Sequence, residues 1–374
     1  MIRARWHLGG KPPGGAQDRA SPAPAQAPRP FLTAHPGGAR VGPLGGAAWR
    51  GRLVGQGAGM VDIGRMFGAD PAAAARFMGL PGTSTLGARE GAGIVLIGAP
   101  SATLYASVGA YCAEAPAAIR AAAAAYAANL GHVNFDLGRP ILPAGRVAVD
   151  AGDLPCDPAR PAEARALIAQ AVGAVVGRGA VPIVIGGDDS VQIPMLEALG
   201  RTGRPLSIVQ IDAHIDWREE VQGERLGLSS TMRRAAEMAH VGTMVQIGAR
   251  AIGSARPADL EDARARGVRF FTAAAIAREG IGPALAAVPA GGDIAICFDF
   301  DALDPAVMPA VIGRAAGGLG YGDWLGLIEG LAARGRIVAC GMVEFMPARD
   351  IDGMGAMVAA QALSAMIGTI AGQG

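Results

Sequence analysis

Charged residues make up only 17% of this 374-residue chain, yet four short segments gather carboxylates. In Asp212-Ala213-His214-Ile215-Asp216 the polar residues alternate, and in Asp299-Phe300-Asp301 they do so again. An extended backbone puts alternate side chains on one side, so each segment aims its ligating groups together. Gly186-Gly187-Asp188-Asp189-Ser190 and Val343-Glu344-Phe345 add further carboxylates, each directly after an apolar run. Carboxylates collected in one place repel one another unless cations lie among them. With a single imidazole they suit borderline-hard divalent ions, Mn²⁺ first, with Ni²⁺, Co²⁺ or Zn²⁺ as alternatives. Several carboxylates able to bridge fit two ions better than one, and such a pair activates water at neutral pH against a carbon electrophile.

Taken singly, each segment has a plainer explanation. A lone Asp at a strand end is commonly a helix cap, and Asp304-Pro305 is an ordinary turn initiator. Gly186-Gly187 could open a phosphate cradle, but no P-loop lysine follows it. What favours a metal site is their joint placement at the ends of expected strands.

Those strands are short runs rich in Val and Ile: 94–98, 147–150, 182–185, 207–212, 243–248, 268–272, 294–299 and 337–344. Continuous apolar runs of this length read as parallel strands buried on both faces. Helical stretches separate most of them; in Glu163–Val176, for instance, Leu167, Ile168, Ala171, Val172, Val175 and Val176 share one face. Val358–Ile370 is expected to close the chain as a helix. The alternation predicts a mainly parallel α/β sheet covered on both sides, with ligands bound at the strands' carboxyl ends.

Composition narrows the function classes. Apolar residues form 51% of the chain and net charge is +1, so a large core is expected and no basic surface for nucleic acid or membrane. Cys112, Cys156, Cys297 and Cys340 are scattered, which is read as a reduced, cytoplasmic protein. No secretory signal and no apolar stretch long enough to span a bilayer are expected. Residues 1–59, rich in Pro, Gly and Ala without helical or strand period, are expected to form a disordered extension. A single domain is expected over 60–374.

Together these segments resemble the arginase/agmatinase family of ureohydrolases. Asp212-Ala-His214-Ile-Asp216 and Phe298-Asp299-Phe-Asp301-Ala-Leu-Asp304-Pro305 are similar to its two metal signatures. Gly186-Gly-Asp-Asp189-Ser190 is similar to its Gly-Gly-Asp-His-Ser. Val149–Asp153, Val343–Pro347 and the Gly109–Arg120 segment, placed where the family admits substrate, match further stretches in order over about residues 90–370. The resemblance implies a three-layer α/β/α fold with an eight-stranded, mainly parallel sheet, and hydrolysis of a guanidino group to urea and an amine. It further implies two divalent ions, most simply Mn²⁺, and a trimer or hexamer. By the same resemblance Asp212 and Asp299 bridge the ions, Asp189 and Asp216 complete one shell, and His214 and Asp301 the other. Glu344 pairs with the guanidinium, and Asp216 and Glu344 are the residues assigned to catalysis.

Three departures stand out. Position 189 is Asp where the family has His, which adds negative charge to the cluster. Leu228 stands where the family has a proton-shuttling His, and Pro309–Arg314 replaces a Pro-Gly-Thr-Gly-Thr-Pro loop. An agmatine- or guanidino-acid-like substrate is the leading expectation. The alternative is a weakly active or non-catalytic subunit that stabilises a catalytic paralogue in a hetero-oligomer.

Overall fold

The strands of the central sheet send alternate residues into two separate apolar cores, which is what two-sided burial demands of a period-two element, apart from an irregularity at Val338–Ala339. In the first strand Ile94 and Leu96 join one core while Val95 and Ile97 join the other; Ile294, Ile296 and Phe298 likewise oppose Ala295 and Cys297. The computed structural model describes residues 76–82 and 92–373. The expected extension over 1–59 lies outside the described residues.

The strands are β1 (Ala92–Ala99), β4 (Val147–Asp153), β5 (Val181–Gly186), β6 (Leu206–Ile211), β7 (Val241–Ile247), β8 (Arg269–Phe271), β9 (Asp293–Asp299) and β10 (Arg336–Val343), with a small antiparallel pair, β2 (Val133–Asn134) and β3 (Arg139–Pro140). The eight-stranded sheet has the order β4-β1-β5-β10-β9-β6-β7-β8, all neighbours parallel. All eight expected runs are strands, displaced by at most a few residues, and the α/β fold is as expected. The β2–β3 pair was not expected; two residues per strand are too few for any periodicity to show.

Helices α1 (Ala115–Ala123), α6 (Ala273–Glu279), α7 (Gly282–Ala286), α8 (Tyr321–Arg334) and α9 (Met354–Ala371) feed one core. Helices α2 (Pro161–Val176), α3 (Gln192–Leu199), α4 (Thr231–Ala235) and α5 (Pro257–Ala265) feed the other. The apolar face of α2 is buried through Ala164, Ile168, Ala171, Val172 and Val175, with Leu167 and Val176 at its margin. Helix α9 corrects one expectation. Its 18 residues have mean hydropathy 1.5, enough by length and composition to cross a bilayer. In this fold 78% of that stretch is buried inside the protein, against α1, α8 and β1.

The topology also places the site. β5 and β6 follow one another among the sheet's strands, yet β10 and β9 lie between them. That is a switch point, where connections leave in opposite directions and open a crevice. Pairing keeps the four strand ends level: Val343 stands opposite Asp299, Phe298 opposite Ile211, and Met342 opposite Ile185.

Candidate metal centre

The four level strand ends carry the four acidic segments. Asp189 follows β5, Glu344 follows β10, Asp299 ends β9 and Asp212 follows β6, each at most 4% exposed. Two ligand groups form there. In one, Asp212, His214 and Asp301 bring ligating atoms within 4.8 Å of one another; in the other, Asp189, Asp212 and Asp299 do the same. Asp212 is common to both. Asp216 lies outside these two groups but is tied to Asp212, because Gln210 Nε2 donates to Asp212 Oδ2 at 2.8 Å and to Asp216 Oδ2 at 2.6 Å.

Local backbone bonds fix the cluster. The His214 N–H donates to Asp212 Oδ1 and the Asp301 N–H to Asp299 Oδ1, each at 2.6 Å. Such i to i+2 bonds turn the chain just beyond each strand and hold the carboxylate against it. The Ala213 N–H reaches across to Asp301 Oδ1 at 3.1 Å. Beneath the turn that follows β9, Arg250 donates to the carbonyls of Asp301, Ala302 and Leu303. Glu344 and Asp216 both have left-handed backbones, with φ of 70° and 44°. For non-glycine residues that conformation costs about 1–3 kcal/mol and persists only where the surroundings impose it.

The electrostatics are those of a site short of positive charge. Burial, then the neighbouring carboxylates, push Asp189, Asp216 and Asp299 far above the usual carboxylate range, and Asp301 is raised as well. Burial and the nearby Asp188 bring Glu344 to about 8. His214 goes the other way. Burial would strip its proton, but Asp212 and Asp301, whose oxygens lie 3.4 and 3.0 Å from Nδ1, raise it to about 11. Asp212 is lowered in spite of its burial, because His214 stands beside it. In the metal-free protein a proton on the imidazole therefore occupies the place of a cation. Asp189 Oδ2 is buried without any hydrogen-bond partner, a cost of about 1–3 kcal/mol that a cation would remove.

A cavity of about 210 Å³ opens over the cluster, walled on its inner side by Asp299, Asp301 and Glu344. Glu344 is held at both oxygens: Oε1 accepts the Asp189 N–H at 2.8 Å and Oε2 the Tyr111 hydroxyl at 2.6 Å. Tyr111 comes from the Gly109–Arg120 segment, whose far end is anchored where Arg120 grips Asp150 with Nε at 2.8 Å and Nη2 at 2.9 Å. Two segments singled out separately in the sequence are thus one braced unit.

The outer wall contains the departures. Leu228 and Ile312 line it, and no histidine besides His214 reaches the cavity among the described residues. Gly313 in the altered loop sits so low that a β-carbon there would lie 2.9 Å from His214 Cε1 and 3.1 Å from Asp301 Oδ2. Asp189 is supported at Oδ1, which accepts from Gln192 Nε2, and at its carbonyl, to which the Thr231 hydroxyl donates at 3.4 Å, while its Oδ2 stays unpaired.

The structure thus gathers every sequence-assigned site residue into one crevice. Sequence reasoning missed Tyr111, Gln210, Gln192 and Arg250. The one signal in the sequence was a glutamine inside an apolar strand run, as at Gln210, since a buried amide needs a polar neighbour; Tyr111 and Arg250 gave none. Asp304, in contrast, is structural: it caps a turn by accepting the Ala306, Gly317 and Gly318 N–H groups.

The family model described as the Arginase family matches residues 92–368. A guanidinobutyrase of Pseudomonas aeruginosa is 29% identical over 228 residues, covering 60% of this chain and 71% of the relative. The mitochondrial guanidino acid hydrolase of Homo sapiens is 31% identical over 206 residues, covering 54% of this chain and 58% of the relative, so that alignment spans little more than half its length. Among solved structures, a hypothetical agmatinase from Burkholderia thailandensis superposes with a TM-score of 0.67 at 25% identity, covering 78% of this chain and 89% of that one. The agmatine ureohydrolase of Thermoplasma volcanium gives 0.61 at 27% identity, with coverages of 75% and 90%.

Proposed function

This chain belongs to the arginase family, and on that footing we propose that it hydrolyses the C–N bond of a guanidino compound, releasing urea and an amine, at a centre for two divalent ions. The observation that carries the reading is the convergence of Asp189, Asp212, Asp216, Asp299, Asp301 and His214 from neighbouring strand ends, with a buried carboxylate oxygen left unpaired. Asp189, Asp212, His214, Asp216, Asp299 and Asp301 would hold the ions: Asp212 gathers with His214 and Asp301 and also with Asp189 and Asp299, and Asp216 stands beside Asp212. Mn²⁺ suits this oxygen-rich set best, and Ni²⁺ is the next choice. Two bound divalent ions neutralise the carboxylates and activate water at neutral pH.

The chain's own residues do the rest. Glu344 presents a carboxylate for the planar guanidinium, a charge-assisted pairing that fixes the reacting carbon over the cluster. The Tyr111 hydroxyl and the Asp189 N–H hold that carboxylate in one orientation. Gln210 does the same for Asp216 and Asp212. Leu228 keeps part of the outer wall dry and offers no proton, so the leaving amine takes its proton from water or from the substrate's own nitrogen. A trimeric or hexameric assembly and a cytoplasmic setting complete the proposal. The comparisons lend no support to a non-catalytic subunit.

The deciding experiment is metal analysis of the purified protein together with urea release over a panel of guanidino compounds. The expected result is close to two ions per chain and metal-dependent urea release from at least one compound. Urea release unaffected by exhaustive chelation, or no metal uptake at all, would overturn the reading.

A further inference from the structure

Besides His214 in the cluster, one basic residue lines the cavity among the described residues, and that is Arg218 on the outer wall. It stands two residues after Asp216, and its N–H donates to the carbonyl of Ser229, another residue lining the cavity, at 2.9 Å, so its backbone is fixed near the cluster. Its side chain is 26% exposed and makes one side-chain hydrogen bond, from Nη1 to Asp259 Oδ2 at 2.9 Å. Asp259 is already satisfied without it: Arg256 donates to it through Nε at 2.8 Å and Nη2 at 2.9 Å. Two guanidinium groups on one carboxylate leave a net positive charge at the mouth, with donors of Arg218 still free.

The other basic groups of this region are committed. Arg233 and Arg234 are paired with Glu219, and Arg225 with the same residue. Among the described residues no carboxylate on the outer wall is free to receive an ammonium group, because Asp259 is shared between two arginines and the remaining acids belong to the cluster or are Glu344. A planar guanidinium with unused donors is the side chain best matched to a carboxylate.

We propose that Arg218 binds a carboxylate at the far end of the substrate, so that the compound taken is a short ω-guanidino acid and not a guanidino amine. The inference rests on the guanidine-hydrolase reading of the same cavity for what Glu344 holds at the other end. Arg218 is a specificity-determining residue that touches the part of the substrate that does not react.

The test uses the Mn²⁺-loaded full chain. Calorimetry compares binding of 4-aminobutanoate, its carboxamide and 1,4-diaminobutane, which carry the three end groups but cannot be hydrolysed. Urea release is measured in parallel on 4-guanidinobutanoate, its carboxamide and 4-guanidinobutylamine. The acid is expected to bind about ten- to a hundredfold more tightly than the amide or the diamine, the range of a charged hydrogen bond. Arg218→Gln should abolish that preference through KM with kcat little changed, and Arg218→Lys should restore part of it. Equal binding of acid and amide by the unaltered protein overturns the proposal without any variant, and so does a preference that survives Arg218→Gln. If the acid is preferred but no guanidine yields urea, the hydrolase reading falls while the carboxylate site stands.

Discussion

The inner and outer walls of the cavity are built by different means. The inner wall consists of residues at the ends of β5, β10, β9 and β6, whose relative heights are set by sheet register. The outer wall consists of loops: the segment bearing Tyr111, the stretch around Leu228, and the turn holding Ile312 and Gly313. A one-residue slip in a parallel strand would disrupt two cores at once, so the inner wall cannot drift without loss of the fold. Loops carry no such penalty. The departures from the family pattern follow this division in part, since Leu228 and Pro309–Arg314 are both in loops. Asp189 is the exception, an inner-wall change in a position that Gln192 and Thr231 support.

This division can be broken experimentally. Asp299→Ala removes an inner-wall ligand and is expected to abolish metal-dependent urea release; metal content measured alongside should fall. Retention of near-normal rate with one ion lost would show that the register-fixed wall is less essential than its geometry suggests. Leu228→His is the corresponding outer-wall change. It is expected to raise urea release about ten- to a thousandfold, a general acid's contribution discounted for imperfect placement. No gain would mean that the loop, as folded here, cannot aim a proton donor.

Tyr111→Phe joins the two walls, because Tyr111 is a loop residue acting on Glu344. Loss of one hydrogen bond to the carboxylate should raise KM about tenfold while leaving metal content unchanged. Metal loss in this variant would place Tyr111 in the support of the cluster.

The smallest effect concerns pH. In metal-free protein the raised carboxyls and His214 hold protons that the unfolded chain has released. Between about pH 4 and 8 the native state therefore binds more protons than the unfolded one, and its stability falls as pH rises. Bound cations remove that dependence. The gap in Tm between metal-loaded and chelated protein is expected to widen by a few degrees from pH 5 to pH 8, as read by thermal denaturation. A constant gap would mean that the cluster does not control stability.

The inner wall was also the legible part. Parallel strands buried on both faces appear as unbroken Val/Ile runs, and a carboxylate at the end of such a run is conspicuous in a sparsely charged chain. Asp189, Asp212, His214, Asp299, Asp301 and Glu344 were found that way, and the structure places them together. The outer wall was mostly hidden. Arg218 and Tyr111 acquire meaning only from partners 41 and 233 residues away, Asp259 and Glu344, which no local pattern encodes. The glutamines lie within strand and helix sequences whose periodicity conceals them. Helix α9 was foreseen as the closing helix, but its full apolar length of 18 residues was not; that apolar character goes with burial inside the protein.

That helix has a consequence for how the protein is made. Strand β1 is the first described strand of the sheet to leave the ribosome, and its Ile94–Leu96 face shares a core with α9, the last described element. The two are separated by most of the chain, a delay on the order of tens of seconds at ordinary rates of translation. Throughout that interval the Ile94–Leu96 face, which α1 joins early, lacks the part of its cover that α9 supplies. A nonsense mutation ahead of α9 would remove one of the five helices that feed the core on the side opposite α2 and α3, and would uncover α1, α8 and β1, which pack against it.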